Sequence, residues 1–113
     1  MPPDIKSLLF DMHQAAIGIE LFVAGKTVDE LKSDLMLRLA VERQFEIIGE
    51  AMSRLGRVSP ETAERISEYR AIISFRNVLS HGYDAINVDT TWQIVQNKLP
   101  VLRNEVERLL NEP

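Results

Sequence analysis

The amino-acid sequence predicts an all-α protein, an up-and-down bundle of four to five helices forming a single domain over residues 1–113. Apolar residues recur every three or four positions through long segments, which is the spacing of one helical face. No segment alternates between apolar and polar residues as a half-buried strand does. The five glycines and five prolines fall near the ends of these periodic segments, so the connections should be short.

The first 30 residues predict one long helix and one short helical turn. The long helix should run over residues 5–24, with Asp4 as its N-cap and Gly25 just beyond its end. Thr27 is followed three residues later by Glu30, which is the spacing of a capping box. A short helical turn should therefore begin at this point.

Cap residues also predict the two helices in the middle of the chain. Ser33 is the expected N-cap of a long helix that ends at Leu55, because Gly56 follows there. Ser59, Pro60 and an acidic residue then form a strong start signal for a third helix over about residues 60–69. These signals place three helices before residue 70.

The C-terminal part predicts a fourth helix over about residues 70–80 that ends near Gly82. The last helix should begin at Asp89 or Thr90, and its apolar positions continue almost to the end of the chain. Pro100 lies inside that pattern and should either kink the helix or divide it in two.

Composition narrows the class of protein. Apolar residues make up 45% of the chain and charged residues 27%, which fits a globular protein rather than a disordered one. The chain has no cysteine, no apolar run long enough to cross a membrane, and no signal-peptide pattern at its N-terminus, so we expect it in the cytoplasm. A net charge of −4 argues against a general nucleic-acid coat protein. Any contact with nucleic acid should be short, or shared across an oligomer.

Residues 75–83 bring polar groups together at the end of a predicted helix. On a helical wheel the buried side holds Phe75, Val78 and Leu79. The neighbouring sector, about 140° wide, holds Arg76, Asn77, Ser80 and His81.

These groups suit the cleavage of RNA. His81 could act as the base that takes the 2′-hydroxyl proton, and Arg76 could stabilise charge on the phosphate. Asn77 would orient His81 or the phosphate. The 2′-oxygen itself is the nucleophile, so neither a metal nor a protein nucleophile is required, and we expect no cofactor. The alternative is structural, with Arg76 in a surface ion pair and His81 capping the helix end.

The spacing Arg76-x4-His81-x-Tyr83 resembles the signature of HEPN ribonucleases, in the form typical of the MNT/HepT toxin–antitoxin group. Two further blocks resemble the same family: residues 40–43 with 46–51, and residues 76–83 with Trp92 and Leu99-Pro100. The resemblance implies a helical bundle that dimerises with its Arg/His motifs facing each other across a shared cleft. It implies metal-independent RNA cleavage that leaves a 2′,3′-cyclic phosphate and a 5′-hydroxyl.

The resemblance also implies a partner, an MntA-like nucleotidyltransferase antitoxin that attaches AMP to Tyr83. Our first hypothesis is therefore the toxin of a type VII-like toxin–antitoxin module, with Arg76, His81 and Asn77 as catalytic residues. The alternative is a non-catalytic helical binding subunit of a nucleotidyltransferase complex. RNA cleavage in EDTA, lost in His81→Ala, would distinguish the two.

Three acidic residues, Glu42, Glu46 and Glu50, form a ridge on the second long helix. A carboxylate-bridged metal site in a bundle uses Glu-x-x-His pairs, and the sequence has none, so we expect no metal here. The ridge should be a solvated face or a docking surface for a basic partner. Arg43 could join Arg76 at a dimer cleft, or form a surface ion pair with Glu46 or Glu50.

Two other polar aromatic side chains are expected to have structural roles. His13 lies on the first helix with no acidic group evident nearby, so it should be exposed or at an interface. Tyr69 should pack against the bundle. Tyr69 is therefore a poorer acceptor for AMP than Tyr83.

Overall fold

The computed structural model describes residues 1–81 and 87–113, with Ser80 and His81 described by their backbone alone. These residues form seven helices and no strand, which confirms the all-α prediction for this part of the chain. The helices are α1 (Pro3–Val23), α2 (Val28–Ser33), α3 (Leu35–Val58), α4 (Pro60–Ala63), α5 (Tyr69–His81), α6 (Val88–Asn97) and α7 (Leu99–Leu110). No described helix is long and apolar enough to span a membrane.

Helix α3 lies at the centre of the bundle. It packs against α1 on one side and α5 on another, and α1 also packs against α7. The periodic apolar residues of these helices meet in one core, which removes their side chains from water and stabilises the bundle. The buried positions include Leu9, Met12, Ala16, Ile19, Val41, Ile48, Met52, Leu55, Leu102, Val106 and Leu109.

Local capping signals fix the region around α2. The capping box forms as predicted: Thr27 Oγ1 accepts a hydrogen bond from the Glu30 backbone at 3.2 Å, and Glu30 Oε1 accepts from the Thr27 backbone at 3.3 Å.

The predicted cap of α1 is wrong by two residues. Its N-cap is Pro2, and Asp4 lies in the first turn, where its charge complements the helix dipole. Gly25 follows the end of α1 with φ 73°, a conformation that favours glycine.

Both predicted ends of the long helix α3 are wrong. Asp34 is its N-cap, because the carboxylate accepts a hydrogen bond from the Leu37 backbone at 3.1 Å, while Ser33 is the last residue of α2. Gly56 remains helical, and α3 continues to Val58. A glycine commonly ends a helix by adopting positive φ, and Gly56 does not adopt it.

The helix predicted over residues 60–69 is much shorter. Ser59 and Pro60 start α4 as predicted, but the helix ends at Ala63, and Glu68 reverses the chain with φ 57° before α5 begins. The Ser67 backbone N–H donates to Glu105 Oε1 at 3.0 Å, which ties this turn to α7. A contact between distant segments therefore replaces the helical continuation.

The C-terminal helix is divided in two, as Pro100 predicted. Helix α6 ends at Asn97 and α7 begins at Leu99, so that the proline occupies the first turn of α7, where no backbone N–H is needed. The predicted start at Asp89 or Thr90 is late. Asn87 is the N-cap, and its side chain accepts a hydrogen bond from the Asp89 backbone at 2.8 Å.

Candidate active site

Helix α5, which carries the polar motif, lies antiparallel on α3. Phe75 meets Phe45 edge to face, with ring centroids 5.2 Å apart. Tyr69, at the start of α5, has its ring 3.9 Å from where a side chain at Gly56 would begin. The start of α5 therefore pairs with the end of α3, and later residues of α5 pair with the middle of α3.

Gly49 allows the two helices to approach closely at Arg76. A Cβ atom at position 49 would lie 2.6 Å from Cγ and 3.5 Å from Cα of Arg76, and the first separation is far below normal packing distance. Any side chain at this position would force α5 away from α3. None of the sequence patterns considered above pointed to Gly49. A glycine in the interior of a predicted helix was the signal that could have found it.

The close approach brings Arg76 to two oxygen acceptors. Its Nη2 donates to Glu50 Oε2 on α3 at 2.9 Å, and its Nη1 donates to Asn77 Oδ1 at 3.2 Å. The side chain is 33% exposed, so the guanidinium is held in position and still reaches solvent. The structural alternative for Arg76 is thus partly realised, because the residue does form an ion pair. The pair links two helices at the edge of a groove.

This groove, with a volume of about 390 Å³, lies between α1, α3 and α5. Its charged lining consists of Asp11, Arg43, Glu46, Glu50, Arg54 and Arg76. The structure thus places Arg43 and Arg76 beside one groove of a single chain. Three basic and three acidic side chains line it, which suits a ligand that bears both negative charge and hydrogen-bond donors.

The acidic ridge on α3 is matched by arginines of the same chain. Glu46 pairs with Arg43 at 3.7 Å, one of the two alternatives left open for Arg43, and Glu50 pairs with Arg76. Partial burial raises the pKa of the Glu42 carboxyl, and the nearby Arg38 only partly opposes this effect. Among the side chains that the structure describes, which exclude that of His81, no cluster of three His or acidic groups could hold a metal ion.

The other predicted site residues have different outcomes. Asn77 is exposed and its side-chain oxygen accepts from Arg76, so the contact it makes here is to the arginine. Helix α5 ends at His81. The side chain of His81 and the whole of Tyr83 lie outside the residues that the structure describes.

The prediction that Val78 is buried is wrong. It is 40% exposed, because α5 packs on α3 and Val78 lies on the far side.

His13 and Tyr69 lie outside the groove. The expectation that His13 has no acidic neighbour is wrong, because its Nε2 lies 3.5 Å from Glu107 Oε1 on α7, and only 15% of its side chain is exposed. Tyr69 is half-buried as expected, and its hydroxyl donates to Glu64 Oε1 at 3.1 Å. Desolvation and this bond raise the pKa of Tyr69.

Comparisons with known proteins match the chain along most of its length. Residues 12–109 match the family described as "Ribonuclease HepT-like". A Methanocaldococcus jannaschii protein named "Putative RNase MJ1380" is 31% identical, with 92% of this chain and 94% of that protein covered. "Probable ribonuclease HepT" of Thermococcus cleftensis is 30% identical, with the same two coverages. No solved structure matches.

Proposed function

The chain belongs to the HepT-like ribonuclease family, and from that premise we propose that it is a metal-independent endoribonuclease, the toxin of a toxin–antitoxin module. The observation that carries this proposal is the Arg76 guanidinium, held by Glu50 and Asn77 at the edge of a groove. The helix that bears Arg76 ends at His81, so a fixed cation and a titratable base belong to one element.

In the proposed reaction the RNA supplies its own nucleophile. His81 accepts the proton of the 2′-hydroxyl, the 2′-oxygen forms a bond to the adjacent phosphorus, and the bond from phosphorus to the 5′-oxygen breaks. The leaving 5′-oxygen takes a proton from an imidazolium, which a second copy of the motif can provide. The products are a 2′,3′-cyclic phosphate and a 5′-hydroxyl.

Arg76 stabilises the charge that develops on the phosphate oxygens. A guanidinium has five N–H donors in a planar fork, and the bonds to Glu50 and Asn77 require one donor each. The same fork can therefore bind phosphate while both contacts persist. Since these contacts fix the cation before substrate arrives, little reorganisation is needed during the reaction.

The proposal includes a homodimer with the two motifs facing each other across a shared cleft. The acidic and basic groups of one groove balance, and the chain carries a net charge of −4, so one copy attracts RNA weakly. Two facing copies place two Arg76 and two His81 side chains around one phosphate. Light scattering should report about twice the 12.9 kDa of one chain. A monomer at high concentration would contradict the shared cleft.

We further propose that an MntA-like nucleotidyltransferase antitoxin silences the toxin by attaching AMP to Tyr83. Tyr83 follows His81 by two residues in the chain, so the added phosphate can pair with Arg76 and occupy the position meant for RNA. The hydrogen bond from the Tyr69 hydroxyl to Glu64 supports Tyr83 over Tyr69 as the acceptor.

Cleavage of a labelled RNA in EDTA tests the proposed function. Arg76→Ala and His81→Ala should each reduce the rate by on the order of 10²–10³. Arg70→Ala is the matched control, because Arg70 also lies on α5 in an ion pair, with Glu64, and does not line the groove. It should cleave like wild type. A folded protein that cuts no RNA but binds the nucleotidyltransferase would favour the non-catalytic subunit instead.

A further inference from the structure

Glu50 connects Arg76 to a second arginine. Its Oε2 accepts a hydrogen bond from Arg76, and its Oε1 lies 3.4 Å from Nε of Arg54, one helical turn further along α3. One carboxylate thus holds two guanidiniums at its two oxygens. The three groups together carry one net positive charge, and the other charged residues of the groove, Asp11, Arg43 and Glu46, together carry one net negative charge.

Arg54 lines the groove that Arg76 borders and has donors that its ion pair does not engage. Both arginines line this groove, and the Arg54 side chain is 61% exposed. The ion pair with Glu50 engages Nε of Arg54, so the two terminal Nη groups with their four N–H donors extend beyond that contact. A guanidinium presented in this way is suited to a phosphate group.

The antiparallel arrangement of α3 and α5 sets the order of the groups along the groove. From Arg76, α5 continues to His81 in one direction, and from Glu50, α3 continues to Arg54 in the other. If the reacting phosphate lies between Arg76 and His81, the strand passes Arg54 on the side away from His81. A phosphate at Arg54 is then a neighbour of the one that reacts.

We propose that Arg54 binds the phosphate adjacent to the reacting one and so holds the RNA strand in register. This inference rests on the proposed function, because it assumes that the groove holds RNA. The contact is the same before and during the reaction, so its loss raises KM and leaves kcat nearly unchanged. Loss of Arg76 has the opposite signature, a fall in kcat.

The first experiment measures binding without cleavage. The probe is a short, fluorescein-labelled single strand with 2′-O-methyl groups throughout, which offers no 2′-hydroxyl nucleophile. Arg54→Ala should weaken binding on the order of tenfold. It should also reduce the slope of log K against log salt by about 0.7, the value for one phosphate contact on a single strand. Arg54→Lys should keep the wild-type salt slope. Arg70→Ala removes one positive charge, as Arg54→Ala does, and should match wild type.

The second experiment measures cleavage by the same variants on unmodified RNA. Arg54→Ala should raise KM by the factor seen in binding, with kcat within about twofold of wild type. If Arg54→Ala matches Arg70→Ala in KM and salt slope while wild type cleaves RNA, the role of Arg54 is refuted and the proposed function stands. If the wild-type protein binds RNA through Arg54 but does not cleave it, the proposed ribonuclease function is refuted. The phosphate contact at Arg54 is then supported without it. Unchanged melting temperatures will show that each variant is folded.

Discussion

The close approach of α5 to α3 at Gly49 gives a prediction in which two similar substitutions have opposite effects. Gly49 and Gly56 both lie inside α3, so replacing either by alanine brings the same gain in helix propensity, about 1 kcal/mol at most. Their surroundings differ. A Cβ at position 56 would lie 3.9 Å from the Tyr69 ring, which is ordinary contact, whereas one at position 49 would lie 2.6 Å from Cγ of Arg76.

Gly49→Ala should therefore destabilise the protein, and Gly56→Ala should stabilise it. The atoms that a Cβ at position 49 would meet belong to the base of the Arg76 side chain and its backbone, so they move only if α5 moves. Overpacking of this kind costs about 1–3 kcal/mol, which exceeds the gain in propensity. Because the gain in propensity is the same for both, the two variants should differ by this overpacking cost, about 1–3 kcal/mol in the free energy of unfolding, or on the order of 10 °C in melting temperature.

The same substitution should reduce catalysis. A shift of α5 carries Arg76 away from Glu50, and a misplacement of about 1 Å can cost on the order of 10² in rate. Thermal unfolding followed by circular dichroism gives the stability difference, and RNA cleavage at a temperature where both variants are folded gives the rate. If Gly49→Ala melts at or above Gly56→Ala, the close approach at Arg76 is refuted. If Gly49→Ala is destabilised but cleaves RNA at the wild-type rate, the close packing of α5 contributes to stability and is not needed for catalysis.

The remaining predictions concern modification and pH. Co-expression with the nucleotidyltransferase should add AMP to Tyr83, which peptide mass spectrometry will locate, and Tyr83→Phe should stay unmodified; modification at Tyr69 would refute the assignment. Because burial raises the folded-state pKa of Glu42, its ionised form costs stability at neutral pH, so Glu42→Gln should melt no lower than wild type at pH 7. This difference should vanish as the pH falls below the unfolded-state pKa of the carboxyl. The hydrogen bond from Arg65 lowers the folded-state pKa of Glu112, so this pair should stabilise the protein above the unfolded pKa of the carboxyl, and melting of wild type and Glu112→Gln should converge as the pH falls through the lowered pKa.

Most of the fold follows from local signals in the sequence. The apolar period predicts the long helices, the Thr27–Glu30 box predicts α2, and Pro100 predicts the division between α6 and α7, because each acts within a few residues of itself. The starts of α1, α3 and α6 were missed by a few residues, at local caps. Two larger differences depend on distant contacts. Residues 64–68 leave the helix because Ser67 bonds to Glu105 on α7, and Gly56 stays helical within a long helix packed against Tyr69.

The sequence by itself determined that Arg76, Asn77 and His81 lie on one helix, since their spacing depends only on the pitch of that helix. The tertiary structure alone decided which groups surround the arginine. Glu50 lies 26 residues from Arg76, and whether they meet depends on how closely α5 approaches α3. Gly49 permits this short distance because glycine has no side chain. A sequence pattern records the residues on each helix face, whereas an ion pair between helices requires the faces to be brought together.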